Sequence, residues 1–135
     1  MKKSHLISFI FLAVFLQCKC QNLLTPDWKF HTGDSQQWAF ISYNDNHWKE
    51  ITSGIPWEQQ GYTGYDGFAW YRKSVLIPSS LKKQVVAGGG MLLTLGKIDD
   101  ADHTYWNGEL LTKTGDLPPA YISAYDKERR CLIPL

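Results

Sequence analysis

Apolar and polar positions along this chain alternate in short runs, and Gly, Pro, Asn and Asp separate the runs. No segment sustains a helical period, so the pattern predicts strands and turns. Trp28-Lys29-Phe30-His31 alternates and predicts a first strand, followed by a turn at Thr32-Gly33-Asp34. Asp45-Asn46-His47 leads into Trp48, and residues 51–55 form another short run that ends at Pro56-Trp57. A loop punctuated by Gly61, Gly64 and Gly67 carries Tyr62 and Tyr65. Residues 68–77 are the strongest strand. Ala69, Tyr71, Lys73, Val75 and Ile77 share one face; Phe68, Trp70, Arg72, Ser74 and Leu76 share the other. Apolar groups on both faces predict a central strand, which Pro78 ends.

Residues 79–86 leave room for one helical turn or a loop, and Gly88-Gly89-Gly90 breaks the chain. Residues 91–98 predict a second strong strand ending at Asp99-Asp100. His103-Thr104-Tyr105-Trp106, Asn107-Gly108 and Glu109-Leu110-Leu111 predict a hairpin, because Asn-Gly suits a two-residue turn with positive φ at both positions. Residues 115–119 read as a loop and 130–134 as a last strand. The sum is an all-β sandwich. Its final run ends at the end of the chain, and its length is at the low end for two packed sheets. The expectation is therefore a sandwich lacking its last strand or two, the front piece of a longer protein.

The N-terminus changes how much of the 135 residues counts as fold. Lys2 and Lys3 precede an apolar run over residues 6–16, too short to span a bilayer but suited to a secretory signal peptide. Cys18-Lys19-Cys20 supplies small residues at the cleavage spacing, so residues 1–20 read as the signal and 21–135 as the β-sandwich. Acylation of Cys18 or Cys20 is the rival, disfavoured because Gln17 and Lys19 are not small. The chain is thus expected to be exported (periplasmic, at the cell surface or secreted), with no membrane span after cleavage. Losing Lys2, Lys3 and Lys19 moves the formal net charge from +1 to about −2 and leaves no charge run. That argues against nucleic acid or an anionic membrane as partner. Cys131 is then the one remaining cysteine, so no internal disulfide is possible.

Candidate chemistry is sparse. Asp99, Asp100 and Asp102 are clustered as a glycosidase's carboxylates are, but they stand at a strand end, where acidic side chains commonly accept backbone N–H bonds. Calcium at these three aspartates is the minor alternative; no other cofactor is expected. His5, His31, His47 and His103 are too scattered for a zinc spacing. No Gly-x-Ser-x-Gly elbow is present, and Ser123 with His103 makes no arguable triad. No catalytic residue is assigned. Aromatic residues remain, with six tryptophans and seven tyrosines. Trp57, Tyr62 and Tyr65 near the glycine loop, and Trp106 beside the hairpin turn, are the candidates for stacking on sugars. Trp48 and Trp70 are assigned to the core. Arg72 is expected to pair with a carboxylate such as Asp66 or Asp100.

Four motifs, in order, carry a resemblance. They are Asp45-x-x-Trp48 with Ile55-Pro56-x-Glu58; Gly67-Phe68-Ala69-Trp70-Tyr71-Arg72-Lys73 with Ile77-Pro78; Leu95-Gly96-Lys97-Ile98-Asp99-Asp100-Ala101-Asp102 with Trp106-Asn107-Gly108; and Arg130 to Pro134, where Cys131 and Leu132 depart from the pattern. Together they resemble the N-terminal sugar-binding domain of glycoside hydrolase family 2 enzymes, the β-galactosidase and β-glucuronidase relatives. A similar module occurs in bacterial sialate O-acetylesterases. The resemblance implies a galactose-binding-domain-like jelly roll, with Trp70, Tyr71, Arg72, Asp99, Asp100, Asp102, Asn107 and Gly108 as its structural motif. It further implies carbohydrate as partner, with the catalytic residues on a separate domain C-terminal to this one. The function expected is a non-catalytic accessory module of a secreted glycosidase. The alternatives are the front module of a sialate O-acetylesterase, a stand-alone carbohydrate-binding protein, and a truncated product without function.

Overall fold

Pairing partners decide which of these runs become strands. The computed structural model describes residues 23–134, so the signal-peptide reading of residues 1–20 lies outside the described residues. Among the described residues there are seven strands, all in antiparallel pairs, and one α-helix, which is an all-β fold. Strand β1 (Asp27–Thr32) is central in a three-stranded sheet, between β2 (Lys49–Thr52) and β3 (Ala69–Arg72). Strands β4 (Met91–Lys97) and β7 (Glu128–Ile133) pair with each other, as do β5 (Asp102–Trp106) and β6 (Glu109–Thr114).

Residues 68–77 do not form the expected central strand. Only Ala69–Arg72 is paired as a strand, at the edge of its sheet, and Leu76 lies almost fully in solvent. Apolar side chains occur on both faces of β3 for another reason: an aromatic layer packs on each. Tyr71 meets the edge of Phe30, whereas Trp70 meets Trp38 and stacks on Tyr105. Strand β1 divides the same two layers, because successive side chains of a strand point to opposite faces. Phe30 is buried among Trp57, Tyr62 and Tyr71, while the neighbouring His31 lies against Trp38 and Trp48.

The segment after Pro78 exceeds the single turn expected. Helix α1 runs over Ser79–Gly88, and the amide of Gly89 caps it on Val85 O. Leu81 and Val85 lie four residues apart on one face, and Val85 is buried. The hairpin forms where the sequence places it, with Asn107 at φ 51° and Gly108 at φ 90°. Its tip lies over the short 3-10 turn Gln36–Ala39, where a Cβ on Gly108 would come 3.6 Å from Ala39 O.

Strand β7 alternates strictly, with Arg129 and Ile133 buried and Glu128, Arg130 and Leu132 exposed. The arginine that matters in this strand is therefore Arg129, one residue before the expected one. A shift of one residue turns a strand side chain to the opposite face. Arg130 instead makes a surface pair with Glu128. No helix among the described residues is long and apolar enough to cross a membrane.

Candidate ligand-binding cleft

The sheet is uneven at one corner, and the candidate site lies there. Strand β2 pairs with β1 only as far as Phe30 opposite Lys49. Beyond that point His31 and Thr32 continue β1 with no β2 residue beside them, although Trp70 and Ala69 of β3 still pair with them on the other side. A cleft of about 230 Å³ opens at this edge, lined by Phe30, His31, Thr32, His47, Lys49 and Tyr62.

Local structure positions each lining group. His47 precedes Trp48, whose amide closes a turn on Asp45 O at 2.9 Å and whose ring is buried. Tyr62 follows the 3-10 turn Trp57–Gln60; its amide bonds Trp57 O at 3.2 Å, and its ring meets Phe30 edge-on with centroids 4.6 Å apart. The Lys49 ammonium lies 5.7 Å from the centre of the Tyr62 ring, within cation–π range. Nδ1 of His31 donates to Thr32 O at 2.6 Å, which leaves Nε2 as the ring nitrogen with no protein partner among the described residues. The His47 ring stands 6.2 Å from that of His31 and is exposed.

The electrostatics follow from which carboxylates are already engaged. None lines the cleft. Glu50, next in sequence to Lys49, pairs with Lys29 at 3.0 Å. Asp45 pairs with Arg72 at 2.9 Å, and Asp34 accepts the Trp70 indole N–H at 2.8 Å. Lys49 has no ion-pair partner among the described residues. A second depression of about 310 Å³, between Gln37, Phe40, Ser42, Tyr43 and Asn44, has no charged lining.

Of the four aromatic candidates, the structure gathers Trp57, Tyr62 and Tyr65 and leaves Trp106 apart. Trp57 packs between Phe30 and Tyr65, with centroids 5.7 Å from each. The Tyr65 hydroxyl donates to Phe68 O at 2.5 Å and accepts from the Gly33 amide at 3.1 Å, so it ties its loop to the end of β1. Tyr62 alone among the four lines the cleft. Trp106 is half-buried in the hairpin and shares no ring contact with the other three.

The motif residues act as braces. Arg72 does not pair with Asp66 or Asp100. Its Nε donates to Asp45 Oδ2, and its other nitrogens reach Trp38 O and Phe40 O. The reason is topological: the 38–45 loop passes over the face of β3 that Arg72 shares with Trp70. The three aspartates each hold local structure. Asp99 Oδ1 accepts the Asp100 amide at 3.1 Å, Asp100 accepts the Tyr121 hydroxyl, and Asp102 Oδ1 accepts from Arg129 Nε at 2.5 Å. Cys131 is a free, half-buried thiol; burial, reinforced by the charge of Asp102, pushes its pKa up.

Sequence reasoning missed His31, His47 and Lys49 as a group. Their spacing carries no metal or catalytic signature, and only the β1–β2 register unites them. Comparisons of the chain with protein-family models, with curated proteins and with solved structures return no match.

Proposed function

We propose that this chain is a carbohydrate-binding β-sandwich module of the galactose-binding-domain-like, jelly-roll type, serving as a non-catalytic part of an exported glycoside hydrolase of family 2 type. The observation that carries the reading is the cleft at the open end of β1. It sets the half-buried Tyr62 ring beside polar groups, including His31 Nε2, His47, Thr32 and Lys49. A pyranose presents an apolar face of C–H groups and a rim of hydroxyls, and binding sites combine apolar rings with a few convergent polar groups. Two further features support the reading. The four sequence motifs resemble the family in order and spacing. Leu92 and Leu132, directly opposite each other across β4–β7, are both well exposed, forming an apolar patch of the kind a neighbouring domain covers.

The test is calorimetric titration of the purified chain with β-linked gluco- and galacto-oligosaccharides and with uronic-acid oligosaccharides. Binding is expected with a Kd of about 1 mM or tighter, about −4 kcal/mol or better. Tyr62→Ala is expected to weaken it at least about tenfold, close to the 1.4 kcal/mol that one aromatic contact contributes. An unchanged circular-dichroism melt would show that the fold is retained. Absence of heat with every saccharide would overturn the proposal.

A further inference from the structure

Apart from the Tyr62 phenol, the ionisable groups that line the cleft are His31, His47 and Lys49, and all three are basic. We infer that the site selects a sugar residue bearing an anionic substituent, a carboxylate or a sulfate, rather than a neutral one. The inference rests on the carbohydrate-binding reading and adds the chemical class of ligand.

Three observations point the same way. First, the chain as a whole is close to neutral, with a formal net charge of +1, so a basic cleft is a local arrangement rather than a consequence of overall charge. Second, the carboxylates within two residues of a lining position are turned to other partners: Glu50 to Lys29, Asp45 to Arg72 and Asp34 to Trp70. A cation placed over an aromatic ring with no carboxylate in reach is available to an incoming anion. Third, the Lys49 ammonium rests on the ring that the sugar needs. A neutral sugar must displace it and leave it without a partner, whereas an anionic sugar gives the displaced ammonium a carboxylate or sulfate oxygen. Charge-assisted hydrogen bonds of this kind are about twice as strong as neutral ones. His31 Nε2, an acceptor when Nδ1 carries the proton, and the His47 ring lie on the same rim and present nitrogens to the hydroxyls beside the anion. A volume of about 230 Å³ is below the roughly 300–1,000 Å³ of pockets that enclose a drug-sized ligand, so the cleft suits one sugar residue and its substituent.

The experiment compares three ligands of equal length on the purified chain: a neutral disaccharide, the corresponding disaccharide with a uronic acid, and a sulfated disaccharide. Affinities are measured at low and high salt. The expected result is that at least one anionic ligand binds about tenfold more tightly than the neutral one at low salt, and that salt erodes this advantage because exposed charges are screened. The preferred ligand then distinguishes carboxylate from sulfate. Lys49→Met, which keeps much of the aliphatic stem, should weaken the anionic ligand about tenfold more than the neutral one and so abolish the preference. Tyr62→Ala should weaken anionic and neutral ligands alike. Equal affinity for neutral and anionic sugars, or a preference that survives Lys49→Met, overturns the inference and leaves the carbohydrate reading standing. Failure of all three ligands to bind overturns both.

Discussion

Arg72 and Arg129 build the same device in two halves of the molecule, in different surroundings. Each reaches back 27 residues to an aspartate, Arg72 to Asp45 and Arg129 to Asp102. Each also gathers loop carbonyls: Trp38 O and Phe40 O in the first case, and Ala124 O, Lys127 O and Asp100 O in the second. The first clasp lies at the surface of an aromatic half, with side chains 17% and 28% exposed. Cation–π contacts supplement it, since the guanidinium stands 5.5 Å from the Tyr43 ring and 5.9 Å from that of Trp48. The second is closed off, with side chains 1% and 14% exposed, and among the described residues no aromatic ring lies in cation–π range of it. The aromatic half can therefore lose its clasp and still be held by stacked rings. The other half has few large buried side chains, and its loops converge on one guanidinium.

Breaking the buried clasp is the largest expected effect. Arg129→Ala leaves the Asp102 carboxylate without its counter-ion, takes the guanidinium donor from Lys127 O and leaves Ala124 O only the Lys127 amide, so the expected destabilisation is about 3–5 kcal/mol. That is a large fraction of the roughly 5–15 kcal/mol by which domains are stable. Urea denaturation measures it. A loss under about 1 kcal/mol would refute the view that this half depends on its clasp, since exposed ion pairs are worth that little.

A smaller effect is expected where backbone segments meet beside the same clasp. The segment after β6 crosses residues 122–124 through paired hydrogen bonds between Asp116 and Ile122, of 3.0 and 2.9 Å. A Cβ on Gly115 would fall 2.4 Å from Ile122 O and 2.8 Å from Ala101 Cβ, at φ 72°. Gly115→Ala should cost about 3 kcal/mol, from overpacking of about 1–3 and left-handed backbone strain of about 1–2. Gly64, in the aromatic half, has a similar φ of 71° with nothing within 4 Å of a Cβ. Gly64→Ala should cost only the strain, about 1–2 kcal/mol. Thermal melts of the two variants side by side measure the difference; equal melting temperatures would contradict the close approach at Gly115.

Arg72→Ala is expected to be milder than Arg129→Ala, at about 2 kcal/mol, in the range for hydrogen bonds to charged groups. Because Asp45 and Trp48 share the turn that carries His47 to the cleft rim, this variant should also weaken saccharide binding. Comparing its denaturation midpoint with that of Arg129→Ala tests the contrast directly. A loss as large as that of Arg129→Ala would show that the stacked rings do not back up the Arg72–Asp45 clasp.

Several elements were legible in the sequence. The alternation at residues 28–31 gave β1, the run at 91–98 gave β4, and Asn107-Gly108 located a turn that only residues tolerant of positive φ form without strain. Trp48 was assigned to the core and is buried there. The pattern predicts at most one turn where helix α1 forms, because Leu81 and Val85 are a short apolar signal. The pattern of residues 68–77 predicts a central strand because it cannot distinguish burial by neighbouring strands from burial by aromatic side chains. The last strand was placed with its arginine one residue late, since two adjacent arginines, Arg129 and Arg130, look alike until one face is covered.

By itself the sequence determined the all-β class, the hairpin and the abundance of aromatic core residues, because alternation, turn residues and side-chain volume act over a few neighbouring positions. Only the tertiary structure decided which carboxylate each arginine holds and where the cleft lies. Both depend on partners 27 residues apart or on where one strand stops pairing with another. His31, His47, Lys49 and Tyr62 come together because β2 ends its pairing at Phe30. Register across a sheet is set by the packing of both faces at once, and no local stretch of sequence contains that information.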